Sequence, residues 1–350
     1  MSKWLVTGGA GFIGANFVRQ AAGEADCQLV VLDALTYAGN LHSIADLIDE
    51  KRVTFVRGDI CDVELVRELF RTHQFARVVH FAAESHVDRS ILGPMPFIRT
   101  NVEGTANLLE AARATWNDRC SHKLFLHVST DEVYGSLGPD DAPFTEESPY
   151  RPSSPYAASK AASDQMARAW SRTYGLPVVI SNCSNNYGPL QFPEKLIPLM
   201  ILNAMEDREL PVYGDGGQVR DWLHVEDHCR ALRVLLERGR PGETYVIGGH
   251  CERTNLEIVG TICDCVDRLL DRGPGASGRL MRHVTDRPGH DRRYAVDPTK
   301  LRVETGWAPR HSLEESLPEL VRWYLENCRW ADEIRTGAYR TFYDELYGGR

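Results

Sequence analysis

Thr7-Gly8-Gly9-Ala10-Gly11-Phe12-Ile13-Gly14 is the stretch that decides the fold, because it places a G-x-x-G-x-x-G turn between two regular segments. Residues 3–7 are short and apolar, as in a strand, whereas residues 15–22 show helical spacing. Glycine allows a sharp turn and the close approach of a pyrophosphate, to which a helix N-terminus offers free N–H groups. The turn predicts a dinucleotide site, although an ordinary βα turn would show the same glycines. The residues expected at the dinucleotide are Gly8, Gly11, Phe12, Ile13 and Gly14.

The alternation of strand and helix continues through the first half of the chain. Apolar runs predict strands at 28–32, 53–56, 77–81, 124–129 and 177–181, and helical spacing predicts helices at 63–72, 101–114 and 156–174. Such alternation is typical of an α/β fold with a doubly wound parallel sheet, the Rossmann architecture.

The sequence changes in character from about residue 185, where prolines become frequent and 214–217 forms a strong turn signal. This half predicts a smaller C-terminal lobe, with a flexible surface loop at 272–279 and a helix at 313–330. We therefore divide the chain into a Rossmann domain, 1–184, which includes the catalytic residues, and a mainly substrate-binding lobe, 185–350. Some segments of the lobe are expected to return to the Rossmann core.

The composition is that of a globular protein, with 43% hydrophobic and 25% charged residues among 350. The formal net charge of −9 argues against nucleic acid or an anionic membrane as the main partner. No apolar run approaches the roughly 20 residues of a membrane span, and no signal peptide is apparent. The nine cysteines lack metal-ligand spacing, so we expect free thiols, no bound metal and a cytoplasmic location.

Two aspartates favour NAD as the dinucleotide. Asp33 ends the second predicted strand, about 20 residues after the glycines, where a carboxylate accepts hydrogen bonds from the adenine ribose. It would repel a 2′-phosphate, and the next two residues supply no arginine, so NADP is disfavoured. Asp59 ends the third strand and, with Ile60, is placed at the adenine; a simple turn aspartate is an equally good interpretation of Asp59.

Tyr156 and Lys160 lie four residues apart near the start of a predicted helix, so they share one face. Tyrosine has a pKa of about 10, too high for a base at neutral pH. A lysine ammonium and an oxidised nicotinamide ring both favour the phenolate. The pair is common by chance on helices, but here it follows a dinucleotide fold, which favours alcohol oxidation by NAD.

Thr130-Asp131-Glu132 directly follow the predicted strand at 124–129. Thr130 is placed to hydrogen-bond the reacting hydroxyl. Alcohol oxidation needs no acid–base pair, so two adjacent acidic residues indicate a further step, such as elimination of water by a carboxylate and a protonated carboxylic acid. A solvated turn at the strand end is the alternative that spacing alone leaves open.

At this point the chain resembles the dTDP-glucose 4,6-dehydratases, over most of its length. The glycine turn and Y-x-x-x-K are shared by the wider short-chain dehydrogenase/reductase superfamily, whereas Asp131-Glu132 and RPGHD are more specific. The segments that carry the resemblance are TGGAGFIG at 7–14, LTYAGN at 35–40, AAESHVDRS at 82–90, STDEVYG at 129–135, YAASKAASD at 156–164, NNYGP at 185–189, FPEKLIP at 192–198 and RPGHD at 287–291.

The resemblance implies a reaction in which NAD is a bound catalyst. Tyr156, supported by Lys160 and Thr130, would deprotonate the sugar 4-hydroxyl while hydride leaves C4. Glu132 would then remove the acidified C5 proton and Asp131 would protonate the departing C6 hydroxyl. Return of the hydride to C6 would give a nucleotide-linked 4-keto-6-deoxyglucose.

The resemblance also implies a nucleotide-sugar site and a homodimer. The residues expected to bind dTDP-glucose are Ser85, Asn185, Lys195, Arg220, Asn255, Arg287 and His290. Ser85 faces either the sugar diphosphate or its own loop. The helices at 101–114 and 156–174 are expected to pair two subunits. One departure is visible, because His250-Cys251 stand where the family usually has asparagines.

Two other functions remain open from the sequence. A nucleotide-sugar 4-epimerase would use the same scaffold, but it has no need of Asp131 and Glu132. A non-catalytic NAD-sensing protein would bind NAD without turnover, which an intact set of catalytic side chains disfavours.

Overall fold

The computed structural model describes residues 2–24, 27–116 and 122–335. Its strands, in chain order, are β1 (Ser2–Thr7), β2 (Cys27–Asp33), β3 (Val53–Arg57), β4 (Arg77–His80), β5 (Leu124–Thr130), β6 (Val178–Cys183), β7 (Asn185–Tyr187), β8 (Leu210–Tyr213), β9 (Val219–His224), β10 (Thr244–Ile247), β11 (Glu252–Thr254) and β12 (Met281–Val284).

Helices connect these strands. The α-helices are α1 (Phe12–Glu24), α2 (Ala45–Asp49), α3 (Val63–His73), α4 (Val87–Leu92), α5 (Met95–Phe97), α6 (Thr105–Thr115), α7 (Pro155–Tyr174), α8 (Leu196–Met205), α9 (Val225–Arg238), α10 (Asn255–Leu269), α11 (Thr299–Thr305), α12 (Leu313–Glu326) and α13 (Cys328–Ile334). Short 3-10 turns cover Leu41–Ser43, Asp131–Tyr134 and Ser277–Leu280, and Ile98–Gly104 forms a π-helical segment.

The main sheet has seven strands in the order β3-β2-β1-β4-β5-β6-β10, and every pairing within it is parallel. Strand order therefore reverses between β1 and β4, the switch point at which doubly wound sheets bind ligands. The predicted α/β Rossmann architecture is confirmed.

Apolar side chains of the flanking helices cover both faces of the main sheet. α1 and α9 pack on one face, and α3, α6 and α7 pack on the other. β5 is buried along its whole length, which explains its continuous apolar run. Because both faces are covered, the polar ends of the strands are the part of the sheet open to ligands.

A smaller lobe lies beyond β6. It contains a three-stranded sheet, β11-β9-β7, a parallel pair, β12-β8, and an apolar core shared by α8, α10 and α12. α9 and β10 come from the same half of the chain, yet β10 pairs with β6 and α9 packs against α1.

Three local predictions need correction. The helix predicted at 101–114 begins at Ile98 with a π-helical turn. The helix predicted at 313–330 is two helices, because α12 ends at Glu326 and α13 begins at Cys328. The loop at 272–279 ends in a 3-10 turn, in which the fully buried Ser277 donates to Asp267 through its hydroxyl and backbone N–H. These buried hydrogen bonds hold the Ser277 end of a segment for which the glycines predicted a flexible loop.

Among the described residues, no helix combines the length and the apolar character that crossing a bilayer requires.

Candidate active site

A cavity of about 320 Å³ opens at the carboxyl ends of β1 to β6. It brings together most of the residues predicted from sequence. Those that line it are Gly8, Gly11, Phe12, Ile13, Gly14, Asp33, Asp59, Ile60, Ser85, Thr130, Asp131, Glu132, Tyr156, Lys160, Asn185 and Lys195. Arg220, Asn255, Arg287 and His290 are not among its lining residues.

The glycine turn lets neighbouring backbone segments pack closely beside the cavity. Gly8 has a φ of 70°, and a Cβ at this position would lie 2.6 Å from the backbone nitrogen of Ala82. A Cβ on Gly14 would collide with the carbonyl oxygen of Gly8. Only glycine therefore permits β1, the turn and the start of α1 to come this close, and α1 then directs its free N–H groups towards the cavity.

Asp33 is fixed at the cavity wall by two backbone donors. Its Oδ2 accepts from Ala10 N at 2.9 Å and its Oδ1 accepts from Leu35 N at 2.8 Å. Burial raises the pKa of Asp33, and the two N–H groups oppose that shift. Asp59 lines the same cavity and accepts from Cys61 N at 2.9 Å. These hydrogen-bond donors and acceptors fit NAD. They come from the glycine turn, the N-terminus of α1 and the carboxylate of Asp33.

α7 positions the predicted Tyr156 and Lys160 by its capped start. The Ser154 side chain accepts from Ala157 N and Pro155 is the first helical residue, so the helix begins one residue before Tyr156. Tyr156 N donates to Ser90 Oγ at 3.1 Å. Lys160 reaches β5, where its Nζ donates to the Val128 carbonyl at 2.9 Å.

The electrostatics of Tyr156 correct one element of the sequence argument. Burial raises the pKa of Tyr156 well above its usual value, and the charge of Glu132 raises it further, whereas a hydrogen bond with Thr130 lowers it. Burial also lowers the pKa of Lys160. The side chains by themselves therefore favour the neutral phenol, because burial of the ring and the charge of Glu132 both raise the pKa of Tyr156.

Asp131 is buried and Glu132 is half-buried directly after β5, and their surroundings differ. Burial raises the pKa of Asp131 well above its usual value, Glu132 and Asp221 raise it further, and Arg220 opposes them. Its Oδ2 has no hydrogen-bond partner among the described residues. This environment favours the protonated acid.

Glu132 faces cations. Burial raises its pKa, whereas the charges of Arg287, Lys195 and Arg220 lower it, in that order of size. Three cations thus oppose the raised pKa of Glu132, whereas one cation, Arg220, and a hydrogen bond from Thr130 oppose that of Asp131. Two adjacent carboxyl groups in different environments form the kind of pair that supplies one acid and one base.

A fully buried polar network holds the end of β5 in place. Asn182 Nδ2 donates to the Thr130 carbonyl at 3.1 Å and to Asp164 Oδ2 at 3.0 Å. Asp164 Oδ1 lies 3.0 Å from His127 Nε2, and its charge favours the charged form of Lys160. This network links Thr130 and Lys160 through one buried carboxylate.

The predicted substrate residues fall into three groups: Ser85, Asn185 and Lys195; Arg220, Arg287 and His290; and Asn255. Ser85, Asn185 and Lys195 line the cavity, and Lys195 Nζ donates to the Ser85 carbonyl at 2.9 Å. Arg220 and Arg287 lie close enough to Glu132 to lower its pKa.

Arg220, Arg287 and His290 form the wall behind Glu132. Arg287 lies 3.5 Å from Asp88, and Arg220 covers the Tyr294 ring at 4.3 Å. His290 Nδ1 lies 2.6 Å from Asp286 Oδ1. Asn255 begins α10, and its N–H donates to the Gln218 carbonyl, so the structure does not bring it to the cavity.

The departure at His250-Cys251 has a backbone explanation. His250 takes a φ of 53°, a left-handed conformation in which asparagine and histidine are both enriched. Cys251 N then donates to Asp221 Oδ1 at 2.7 Å, a contact that any residue supplies.

Sequence reasoning missed several cavity residues. Cys183 is the last residue of β6 and lies at the cavity beside Tyr156, as Thr130 does at the end of β5. Its position at a strand end was the signal that could have identified it. Glu194 also lines the cavity and lies 3.2 Å from Arg89, a contact between distant segments that no local pattern shows.

Comparison with known proteins identifies the family of this chain. The family described as GDP-mannose 4,6 dehydratase matches residues 5–320. The dTDP-glucose 4,6-dehydratase of Xanthomonas campestris pv. campestris strain B100 is 55% identical over 345 residues, covering 97% of this chain and 98% of that protein. The dTDP-glucose 4,6-dehydratase 1 of Escherichia coli K12 is 51% identical over 360 residues, covering 99% of each.

The chain belongs to the dTDP-glucose 4,6-dehydratase family. A solved member, DesIV from Streptomyces venezuelae, was crystallised with NAD and TYD bound. It is 48% identical, covers 95% of this chain and 99% of its own, and superposes with a TM-score of 0.87. The resemblance drawn from the sequence is confirmed.

Gly8→Ala should weaken NAD binding at least tenfold, because alanine is strained by about 1–2 kcal/mol at positive φ and its Cβ would clash with Ala82. NAD retained through purification and NAD affinity by titration calorimetry measure the effect. Gly23→Ala is the matched control, since a Cβ there meets nothing within 4 Å. Equal NAD affinity in Gly8→Ala and the unsubstituted chain would contradict the phosphate role of this turn.

Proposed function

We propose that the chain is an NAD-dependent lyase that dehydrates dTDP-glucose to dTDP-4-keto-6-deoxyglucose. The observation that carries this proposal is the meeting of Tyr156, Asp131 and Glu132 in one cavity with a site that fits NAD. Membership of the dehydratase family supports it independently.

Bound NAD would accept a hydride from C4 and, in its reduced form, give the same hydride back to C6, so the net reaction is redox-neutral. Tyr156 takes the proton of the sugar 4-hydroxyl, and Thr130, in contact with Tyr156, orients that hydroxyl. Lys160 holds positive charge behind them, fixed by the Val128 carbonyl and supported by Asp164. Since burial raises the pKa of Tyr156, the phenolate requires the positive charge that the oxidised nicotinamide adds.

The two carboxyl groups carry out the elimination. Glu132 removes the proton from C5, which the 4-ketone makes acidic, and its surrounding cations favour the ionised base. Asp131, kept protonated by burial, gives its proton to the C6 hydroxyl, which leaves as water. A proton returned to C5 by Glu132 completes the product.

The wall behind Glu132 is proposed to bind the nucleotide diphosphate. Lys195, Arg220 and Arg287 supply positive charge, and guanidinium groups match phosphate oxygens well. Asn185 and Ser85 face the same cavity and would contact the nucleotide sugar, with His290 closing the far side. Apart from Ser85, we place these contacts in the 185–350 lobe, and we place NAD in the 1–184 domain, with α9 and β10 as the segments that return to the Rossmann core.

A 4-epimerase shares the need for Tyr156 and NAD but not for an acid and a base at C5 and C6. The buried Asp131, with an unpaired oxygen, is a costly feature that epimerisation would not use. A non-catalytic NAD sensor would not need any of the buried titratable groups.

We further propose a cytoplasmic homodimer. The described cysteines are free thiols, as expected in a reducing compartment. Leu92, Met95 and Ile98 are 68%, 67% and 49% exposed at the approach to α6, and Tyr174 is 53% exposed at the end of α7. Exposed apolar groups beside two long helices suit an isologous interface.

Leu92→Glu combined with Met95→Glu should weaken the dimer, because two desolvated carboxylates would face each other across it. Light scattering over a concentration series measures the mass. Val303→Glu, at an apolar residue that is 74% exposed, is the control. An unchanged dimer in the double variant, or a monomer before substitution, would show that this surface is not the interface.

Incubation with dTDP-glucose in D₂O tests the proposed reaction. We expect a 4-keto-6-deoxy product carrying deuterium at C5, because the proton held by Glu132 exchanges with solvent. A C4 epimer without any keto product would instead favour the epimerase, and tight NAD binding without turnover would favour the sensor. In Glu132→Gln, turnover should fall by about 10²–10⁴-fold with NAD binding intact.

Glu147→Gln is the matched control, since it makes the same change at an exposed carboxylate. Full turnover and normal deuterium uptake in Glu132→Gln would remove Glu132 from its role, while leaving the family's overall reaction in place.

A further inference from the structure

A cluster of metal-ligand side chains lies where β9 runs into α9. His224 ends β9, Glu226 lies in the first turn of α9, and His311 lies just before α12. One ring nitrogen of each histidine and one carboxylate oxygen of Glu226 lie within 4.8 Å of one another. None of the three is among the residues that line the active-site cavity, so the dehydration chemistry does not account for them.

Asp227 determines which nitrogen of His311 faces Glu226. Its Oδ2 accepts from the backbone N–H groups of Arg310 and His311, each at 2.8 Å, and lies 3.1 Å from His311 Nδ1. A carboxylate at Nδ1 holds the ring proton there and leaves Nε2 with its lone pair, as in the carboxylate–histidine pairs behind many metal sites.

The freed nitrogen points at another acceptor. His311 Nε2 lies 3.5 Å from Glu226 Oε2. A cation between these two acceptor atoms stabilises them, whether it is a proton on Nε2 or a metal ion. A metal ion can therefore take the place of that proton.

His224 supplies a second, fixed imidazole. Its ring is buried and stacks on His311, with the ring centroids 4.2 Å apart and the planes inclined by 25°. The edge of Tyr187 contacts it, at 5.2 Å between centroids. Its Nδ1 accepts from Glu226 N at 3.3 Å, and a bound metal ion would replace this hydrogen bond, because a neutral imidazole has one lone pair. Two imidazoles and one carboxylate form a ligand set that suits Zn²⁺ and similar transition metals.

Small movements bring the three ligands to coordination distance. Bonds of about 2.0–2.2 Å to a tetrahedral ion place ligand atoms about 3.4 Å apart, closer than the upper limit seen here. The Glu226 and His311 side chains are 52% and 34% exposed, so both have room to rotate. Glu226 and Asp227 also offset the positive end of the α9 dipole, which would otherwise oppose a cation.

We propose that His224, Glu226 and His311 bind one divalent transition-metal ion of the zinc class, with Asp227 orienting His311 and water completing the coordination. The ion links the segment before α12, which belongs to the core of the C-terminal lobe, to α9, which packs against α1. Its role is to tie the lobe to the Rossmann core.

The test uses the full chain with its bound NAD, without a polyhistidine tag and stripped of metal with EDTA. Calorimetric titration with ZnCl₂ should show one saturable site per chain, and the midpoint of thermal unfolding should rise by a few degrees. Co²⁺ should give the visible d–d bands of a tetrahedral site. Glu226→Gln and His311→Ala should each weaken zinc binding at least about tenfold and remove the cobalt bands.

His122→Ala and Glu147→Gln, at exposed residues outside the cluster, are the controls and should bind zinc normally. Glu226 is largely exposed, so its substitution tests the site without threatening the fold. Absence of saturable zinc binding, or equal affinity in Glu226→Gln and His311→Ala, would overturn the proposal. Binding that survives both substitutions and disappears on thiol alkylation would assign the zinc to cysteines and overturn it equally.

Discussion

Two adjacent carboxyl groups removed from water at the end of β5 impose the constraint to which the rest of the site responds. An isolated buried carboxylate is so costly that it becomes protonated unless positive charge or hydrogen bonds support it. Asp131 has little of that support: Arg220 and Thr130 oppose the effect of burial, but one oxygen is unpaired among the described residues, and Glu132 and Asp221 add negative charge nearby. Glu132 has it, from cations contributed by separate segments of the smaller lobe. Their different surroundings are the basis for proposing Asp131 as the acid and Glu132 as the base.

The same cations are involved in both substrate binding and catalysis in this proposal. Lys195, Arg220 and Arg287 are the groups proposed to hold the diphosphate, and they are also the groups that favour the ionised form of Glu132. The smaller lobe therefore contributes to proton removal without supplying the base itself. Behind the pair, Asn182 and Asp164 fix the carbonyl of Thr130 and the charge of Lys160, so the strand end and the helix that carry the chemistry share one buried anchor.

The sequence was sufficient for the architecture, because glycine turns and buried parallel strands have local signatures. It also located residues whose position at a strand end or on one helix face is a matter of spacing, such as Asp33, Thr130 and Lys160. It did not include the effect of burial on Tyr156, since the cost of enclosing a phenol depends on tertiary packing. It placed Asn255 by family resemblance, and that placement stays a prediction, since Asn255 at the start of α10 does not line the cavity.

Contacts between distant segments were beyond the reach of sequence patterns. The Asp164 network, the Arg89–Glu194 pair and the meeting of His224 with His311 each join residues that no periodicity relates. Cys183 lies between these two cases. Its position at the end of β6 could be predicted from the sequence, whereas its proximity to Tyr156 could not.

The protonation state of Asp131 at neutral pH tests the central claim most directly. An infrared difference spectrum of the NAD-bound protein minus its Asp131→Asn variant should contain the C=O stretch of a protonated carboxylic acid, shifted in D₂O. A difference that contains only the bands of an ionised carboxylate would show that Asp131 is not the acid, and the division of labour between Asp131 and Glu132 would then be wrong.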